Sequence, residues 1–381
     1  MSHGRTFLQF PLARSCPFSS LEMHFQSLAW AFPTLLSITS ALCPRRFTHQ
    51  LNSHPIRALT NTSSITCTPL YTFTANTWLE NLSLRSNGDI LATVSTTPDL
   101  YLLPSTLNND TASKLLHTFP NVTTVSGLTR SPTEPDTFYT TIGSFNFTSF
   151  STDAGTYSVW RVILPDPTTR DVVVEKVADL PTLAVVNGIT STPNSSTILL
   201  ADAYMGIIYK FDPVSSTLTT LLDDPTLKAP NTTSIRIGVN GLKISHGYLY
   251  FSNSHQLLLA RVPLSPQGTV TGPVQIIHNA TTADDFILSS DGLMVYVAED
   301  EANAISSVDM SGMSANASGV VYDVLVGGGN STEIMGPTAL QWGVGEQASS
   351  LFYTSNGGIA QYVLGDAVLG GSVGRIDGVG M

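Results

Sequence analysis

Four residues have the types that do chemistry: Glu80, Asn187, Asn240 and Asp284, two carboxylates and two amides. They lie far apart in the chain, yet each opens a short β-rich segment, and such segments recur at about fifty residues. If the segments surround one axis, the four side chains meet in one pocket. That oxygen-rich set suits a hard divalent ion, Ca²⁺ or Mg²⁺, with waters completing its shell. A carboxyl there can also give or take a proton. Asp285 is the alternative to Asp284. The plainer reading makes the Asn-Gly pairs turn residues and leaves Glu80 and Asp284 to ordinary surface hydrogen bonds.

Further side chains are candidates for binding an apolar molecule. Trp78 precedes Glu80 by two residues, Tyr204 follows the ILLAD segment, Phe286 adjoins Asp285, and Met335 precedes Gly336-Pro337. Each can line the mouth of the pocket or pack between sheets. His255, at a strand end, is a candidate acid or base or an exposed loop histidine. Trp160 and Trp342 read as core.

The elements that must position these residues are short strands. Val186-Asn187-Gly188-Ile189 is echoed by Val239-Asn240-Gly241-Leu242. After the first come ILLAD, a Gly and IIYKFD; after the second come YLYFSN and LLLARVP. Strands joined by tight turns and repeated at this period signal a propeller blade. LYTFTA, LENLSLR, DILATVS and DLYLLP read as the first blade, with Asn87-Gly88 as a hairpin turn. The next three are expected over 115–163, 172–212 and 218–262. The fifth runs from PVQIIH to AISSVDM and the sixth from VVYDVLV to SVGRID. No apolar run keeps helical spacing for more than two turns. The expected fold is all-β, a six-bladed β-propeller over 67–381, with inner strands starting near Glu80, Ser126, Asn187, Asn240, Asp284 and Thr338.

Residues 1–45 read as a signal-peptide-like leader and 46–66 as a linker. The apolar run Ser27–Cys43 is interrupted by Pro33 and is too short for a span of 18 or more residues, so no transmembrane anchor is expected. Ser40 and Ala41 suit a signal-peptidase site. Sequons at Asn61, Asn109, Asn121, Asn146, Asn194, Asn231, Asn279, Asn316 and Asn330 are expected glycosylation sites and point to the secretory pathway or the extracellular space. Asn81 is also in a sequon but directly follows a pocket residue and is set aside. Cys16, Cys43 and Cys67 exclude a disulfide framework and a cysteine zinc site, leaving a Cys43–Cys67 bridge as the candidate pairing. A net charge of −11, with 12% charged residues and no basic cluster, argues against a nucleic-acid partner. No Gly-x-Ser-x-Gly elbow, HExxH or phosphate-cradling loop is present.

Two resemblances add to this reading. WLENLSLRSNGDILAT, the two NG passages and ADDFILSSDGLMVYVA resemble the regucalcin and gluconolactonase family. That implies a six-bladed propeller with one divalent metal on a Glu, two Asn and an Asp, here Glu80, Asn187, Asn240 and Asp284, and a metal-dependent lactonase. The chain departs from the family pattern at Asn253, where an Asp is usual, and at Asp285, where a Gly is. ENLSLRSNGDILAT, NGITSTP, GPTALQWG, LFYTSNGG and GGSVGRID more closely resemble fungal propellers of natural-product clusters, among them the hetero-Diels–Alderases of tropolone sesquiterpenoid biosynthesis.

The second resemblance implies small hydrophobic substrates and no required cofactor. The reaction it implies joins a tropolone ortho-quinone methide to a terpene alkene such as humulene. The catalyst works by orienting both partners and by donating hydrogen bonds to the tropolone oxygens from Asn187, Asn240 or Tyr204. A protonated Glu80 or Asp284 assists loss of water. A non-catalytic, ligand-binding secreted propeller is the third reading, since one frame hosts many functions.

Overall fold

The computed structural model describes residues 64–380, except 105–112, 148, 150, 167, 170, 194, 231–235, 314–318, 330 and 359–368. The leader, Cys16, Cys43 and the sequons at Asn61, Asn109, Asn194, Asn231, Asn316 and Asn330 lie outside the described residues. The pairing of Cys43 with Cys67 falls outside them too. Cys67 itself is half-buried, its thiol 3.7 Å from the Tyr353 hydroxyl. Asn121, Asn146 and Asn279 are exposed, whereas Asn81 is buried.

Among the described residues the strands form six four-stranded antiparallel sheets and one two-stranded hairpin. The inner strands are Leu79–Leu84, Thr124–Arg130, Val186–Ser191, Val239–Ser245, Ala283–Leu288 and Pro337–Trp342. Each touches the inner strand of the next sheet, and the last touches the first. The chain is a six-bladed β-propeller. Inner strands are buried almost throughout, while outer strands such as Val173–Asp179 alternate toward solvent. That gradient explains why the inner segments are apolar on both faces.

The core lies between blades rather than within one. Leu91, Leu100 and Leu102 of the first blade pack on Val125, Phe138 and Val162 of the second, with Trp160 against the same cluster. Trp342 packs likewise on the cluster around Tyr353 and Ile376. Each such buried side chain contributes roughly 1.5–3 kcal/mol. At the opposite end of the ring from the inner-strand starts, fully buried Arg85 lies 3.4 Å from Asp136 and donates to the Asp166 carbonyl at 2.9 Å. It ties the first blade to the second.

The grouping of strands into blades differs from the expectation by one strand. LYTFTA belongs to Thr66–Ala75, which pairs with Gly370–Asp377 as the outer strand of the sixth blade. The first blade instead ends with Lys114–Thr118. Segments read as openings of later blades, such as PVQIIH and VVYDVLV, are the outer strands of the blade before. The ring is closed by pairing strands from the two ends of the propeller, a partnership that local spacing does not encode.

Every inner strand slips register near its start, between Leu79 and Leu82, Val125 and Leu128, Val186 and Ile189, Val239 and Leu242, Ala283 and Phe286, and Pro337 and Ala339. The slip is a β-bulge, which re-aims side chains. It also brings adjacent inner strands very close. A Cβ on Gly188 would land inside the Asn240 backbone carbonyl, and one on Gly241 inside the Asp285 carboxylate. Neither glycine has a positive φ. They sit within strands and serve close approach, not a turn. Gly188→Ala is expected to destabilise the protein by about 1–3 kcal/mol, read as a lower midpoint in chemical denaturation. Ala at exposed Gly247, where open space surrounds the missing side chain, measures the separate penalty of its positive φ of 77°.

Candidate functional site

In an antiparallel blade the inner strand starts at the end of the ring where the second and third strands are joined. The residues that begin inner strands therefore share one face with the hairpins after Val94, Gly143, Asp202, Asn253 and Glu299. A cavity of about 280 Å³ opens on this face. Glu80, Asn187, Asn240 and Asp284 all line it, with Trp78 and His255. The bulge places each of the four at the second residue of its strand.

The other sequence candidates lie elsewhere. Tyr204 is half-buried in a turn whose N–H groups cap on Asp202, with Arg236 over its ring at 5.3 Å. Phe286 is fully buried between blades. Met335 is not among the lining residues. Asp285 follows Asp284 in the bulge and turns away to accept from Lys243 Nζ at 2.6 and 2.7 Å. Its Oδ2 also receives Asn81 Nδ2 at 3.5 Å. The Asn at 253, rather than an Asp, is explained by what it holds. Its amide donates to the carbonyls of Thr226 and Lys228 at 2.8 and 3.0 Å, which a carboxylate could not do.

Residues that spacing missed complete the walls. Phe145 and Phe147 come from a two-stranded hairpin, Phe145–Asn146 with Ser151–Thr152, inserted into the second blade. Phe147 lies 5.2 Å from Trp78 and 4.9 Å from Phe145, ring to ring. Tyr157 enters just before the third strand of that blade and is clamped against Gly143, where any Cβ would strike its ring. Asp300 and Glu301 come from the hairpin tip of the fifth blade. The aromatic residues in the short GSFNF passage were the available signal. The cavity thus has an aromatic side and an acidic side, and no Lys or Arg lines it among the described residues.

Burial raises three of the lining acids, Glu80, Asp284 and Asp300, above the ordinary carboxylate range. Burial is the largest effect and lifts Glu80 to about 7, although donors on Asn187, Trp78 and Ser95 pull it back and the charge of Asp285 pushes it further. The Ser95 hydroxyl donates to Glu80 Oε2 at 3.3 Å. Burial likewise raises Asp284 well above the carboxylate range, helped by the charges of Glu80, Asp300 and Asp285 and opposed by Asn240. Asp300 rises to about 7 by burial. Asn240 Nδ2 donates to Asp284 Oδ1 at 2.6 Å and to Ser254 Oγ at 3.0 Å. His255 Nδ1 lies 2.7 Å from the Ile237 carbonyl. A carbonyl only accepts, so Nδ1 carries the hydrogen, and in the neutral ring Nε2 keeps the lone pair.

A divalent cation is a second way to neutralise the acids. By type, Glu80, Asp284 and the amide oxygens of Asn187 and Asn240 suit Ca²⁺ or Mg²⁺. Among the described residues no three of His, Cys, Asp and Glu form a metal-holding group, so the amides would be needed.

The chain is 25% identical over 315 residues to a protein of Phoma sp. named "Putative hetero-Diels-Alderase", an overlap of 75% of this chain and 85% of that one. No protein-family model matches it. Among solved structures it resembles a luciferin-regenerating enzyme at 12% identity and a TM-score of 0.59, covering 83% of this chain and 96% of the other. Regucalcin from Agrobacterium tumefaciens, a calcium-binding protein, gives 16% identity and 0.55, covering 83% and 95%. The shared feature is the fold. The PQQ-bound aldose sugar dehydrogenase of Streptomyces coelicolor has it too, at 13% identity and 0.55, covering 82% and 98%.

The buried acids set a pH dependence of stability. Between the ordinary pKa of 4.5 for Glu80 and its folded value of about 7, the native state binds more protons than the unfolded chain. Stability is therefore fully present below that window and falls as pH rises through about 7. Thermal melting is expected at higher temperature at pH 5 than at pH 8. Glu80→Gln, a mimic of the neutral acid, should flatten the curve.

Proposed function

We propose that the chain is a hetero-Diels–Alderase-type catalyst that orients a tropolone ortho-quinone methide and a terpene alkene such as humulene. The observation that carries this reading is a cavity with an aromatic side facing buried acids, in a chain similar to the Phoma protein. Cycloaddition needs little acid–base machinery once both partners are held in one reactive orientation. The aromatic side, Trp78, Phe145, Phe147 and Tyr157, offers flat apolar surface for the ring and the alkene. A hydrogen bond from Asn187 to a ring oxygen favours the charge that builds as the new bonds form, whereas the two amide hydrogens of Asn240 are already given to Asp284 and Ser254.

Glu80 and Asp284 serve the step before cycloaddition. A hydroxymethyl tropolone becomes the quinone methide by losing water. A protonated carboxyl gives its proton to the departing hydroxyl, and an ionised one takes the proton of the ring hydroxyl. Two acids sharing a buried site, with values raised toward neutrality, supply both forms at once.

The test is an assay with generated quinone methide and humulene, with and without protein. A faster reaction and a single stereoisomer are expected. An unchanged rate with racemic product rejects the reading. Starting instead from the hydroxymethyl precursor, Glu80→Gln and Asp284→Asn are each expected to slow product formation by about a hundredfold. The wild-type rate should fall as pH rises through about 7, as the acid is lost.

The convergence of Glu80, Asn187, Asn240 and Asp284 favours one second reading, a metal-dependent lactonase. A bound cation would polarise a lactone carbonyl and lower the pKa of a water. Lactone hydrolysis that a chelator abolishes, and Ca²⁺ or Mg²⁺ restores, would establish it. The cycloaddition reading expects no effect of the chelator on product formation.

A further inference from the structure

Trp78 is 8% exposed, and its indole N–H is buried without a hydrogen-bond partner among the described residues. It points toward Glu80 closely enough to pull that carboxyl down, yet no acceptor among the described residues lies within hydrogen-bonding geometry of the N–H. Tyr157 is 1% exposed, and its hydroxyl enters no side-chain hydrogen bond among the described residues. Both side chains line the cavity, and both interact with Glu80: Trp78 lowers that carboxyl, and its charge raises the Tyr157 phenol. Thr282 Oγ1, also lining the cavity, is like the Trp78 N–H a buried polar atom without a partner among the described residues. Buried donors are ordinarily satisfied, and leaving one unmade is costly. Here two donors and a carboxyl surround the same space.

We propose that the Trp78 indole N–H and the Tyr157 hydroxyl form a donor pair that holds an acceptor oxygen of a neutral ligand beside Glu80. The ligand class follows from what the cavity contains. Two donors from rigid aromatic side chains select a carbonyl or ether oxygen. Four acids, with no Lys or Arg among the described lining residues, reject a carboxylate or phosphate. The Trp78–Phe147 pair, 5.2 Å apart and inclined at 44°, gives the body of the ligand an apolar surface. This deepens the proposed function and rests on it in one respect, that the cavity takes an oxygen-bearing ring.

The experiment is calorimetric titration of the protein with tropone, a neutral cyclic ketone, with cycloheptatriene, the same ring without oxygen, and with benzoate. Wild type is expected to prefer tropone over cycloheptatriene by about tenfold, the worth of one or two hydrogen bonds, and to bind benzoate far more weakly than tropone. In Trp78→Phe and in Tyr157→Phe the preference should shrink severalfold. The ratio between the two rings cancels any general loss of packing. An unchanged ratio in both variants overturns the proposal, as does benzoate binding as tightly as tropone or no tropone binding by wild type. A preference lost in the variants, with no cycloaddition by wild type, leaves the donor pair standing and removes the proposed reaction. Cycloaddition with an unchanged ratio does the reverse.

Discussion

The structure depends on how closely the inner strands can approach one another. Each of the first five bulges near its start, so two successive side chains lie at the ring axis where an ordinary strand would offer one. The first, at 80, 126, 187, 240 and 284, reaches the cavity. The second lies against the neighbouring inner strand. In three blades only hydrogen fits there, at Gly127, Gly188 and Gly241. In the first and fifth blades Asn81 and Asp285 take that position and meet each other at 3.5 Å. The Asn-Gly pairs thus join a functional residue to the glycine that lets the next blade come near enough to share the pocket.

That approach creates an electrostatic problem. Carboxyl groups from the first and fifth blades are taken out of water together, and among the described residues the cavity wall offers them no fixed positive charge. Lys243 is spent on Asp285, outside the lining. Protons, a divalent ion or a donor-rich ligand are the ways to neutralise such a set. The raised values of Glu80, Asp284 and Asp300 express the first. The same residues therefore serve two chemistries, according to what occupies the space between them.

Much of this was legible in the chain. Paired apolar positions and Asn-Gly turns marked the strands, and the NG echo marked where inner strands begin. The choice between Asp284 and Asp285 was not legible, because a bulge breaks the alternation that assigns faces. The aromatic side was half legible. Trp78 sits at a strand entry and was found, whereas Phe145, Phe147 and Tyr157 depend on an inserted hairpin whose direction no period describes. Tyr204 and Phe286 were misplaced for the converse reason, since aromatic type alone does not separate a mouth from an interblade core. The shift of every blade by one strand has the plainest cause. Thr66–Ala75 finds its partner about three hundred residues away, beyond the reach of local pattern.

That long-range pairing bears on how the molecule is made. Translation releases Thr66–Ala75 early and Gly370–Asp377 near its end, at about 5–20 residues per second. For that interval the final blade has no outer edge and the first inner strand lacks its neighbour from the other side. Thr338, whose hydroxyl reaches the Leu79 carbonyl at 2.7 Å, arrives with the last-made sheet. Contacts separated by so much chain form slowly, and an unpaired strand edge invites foreign pairing meanwhile. Yield in a cell should then be governed by protection of the nascent ribbon before it becomes circular.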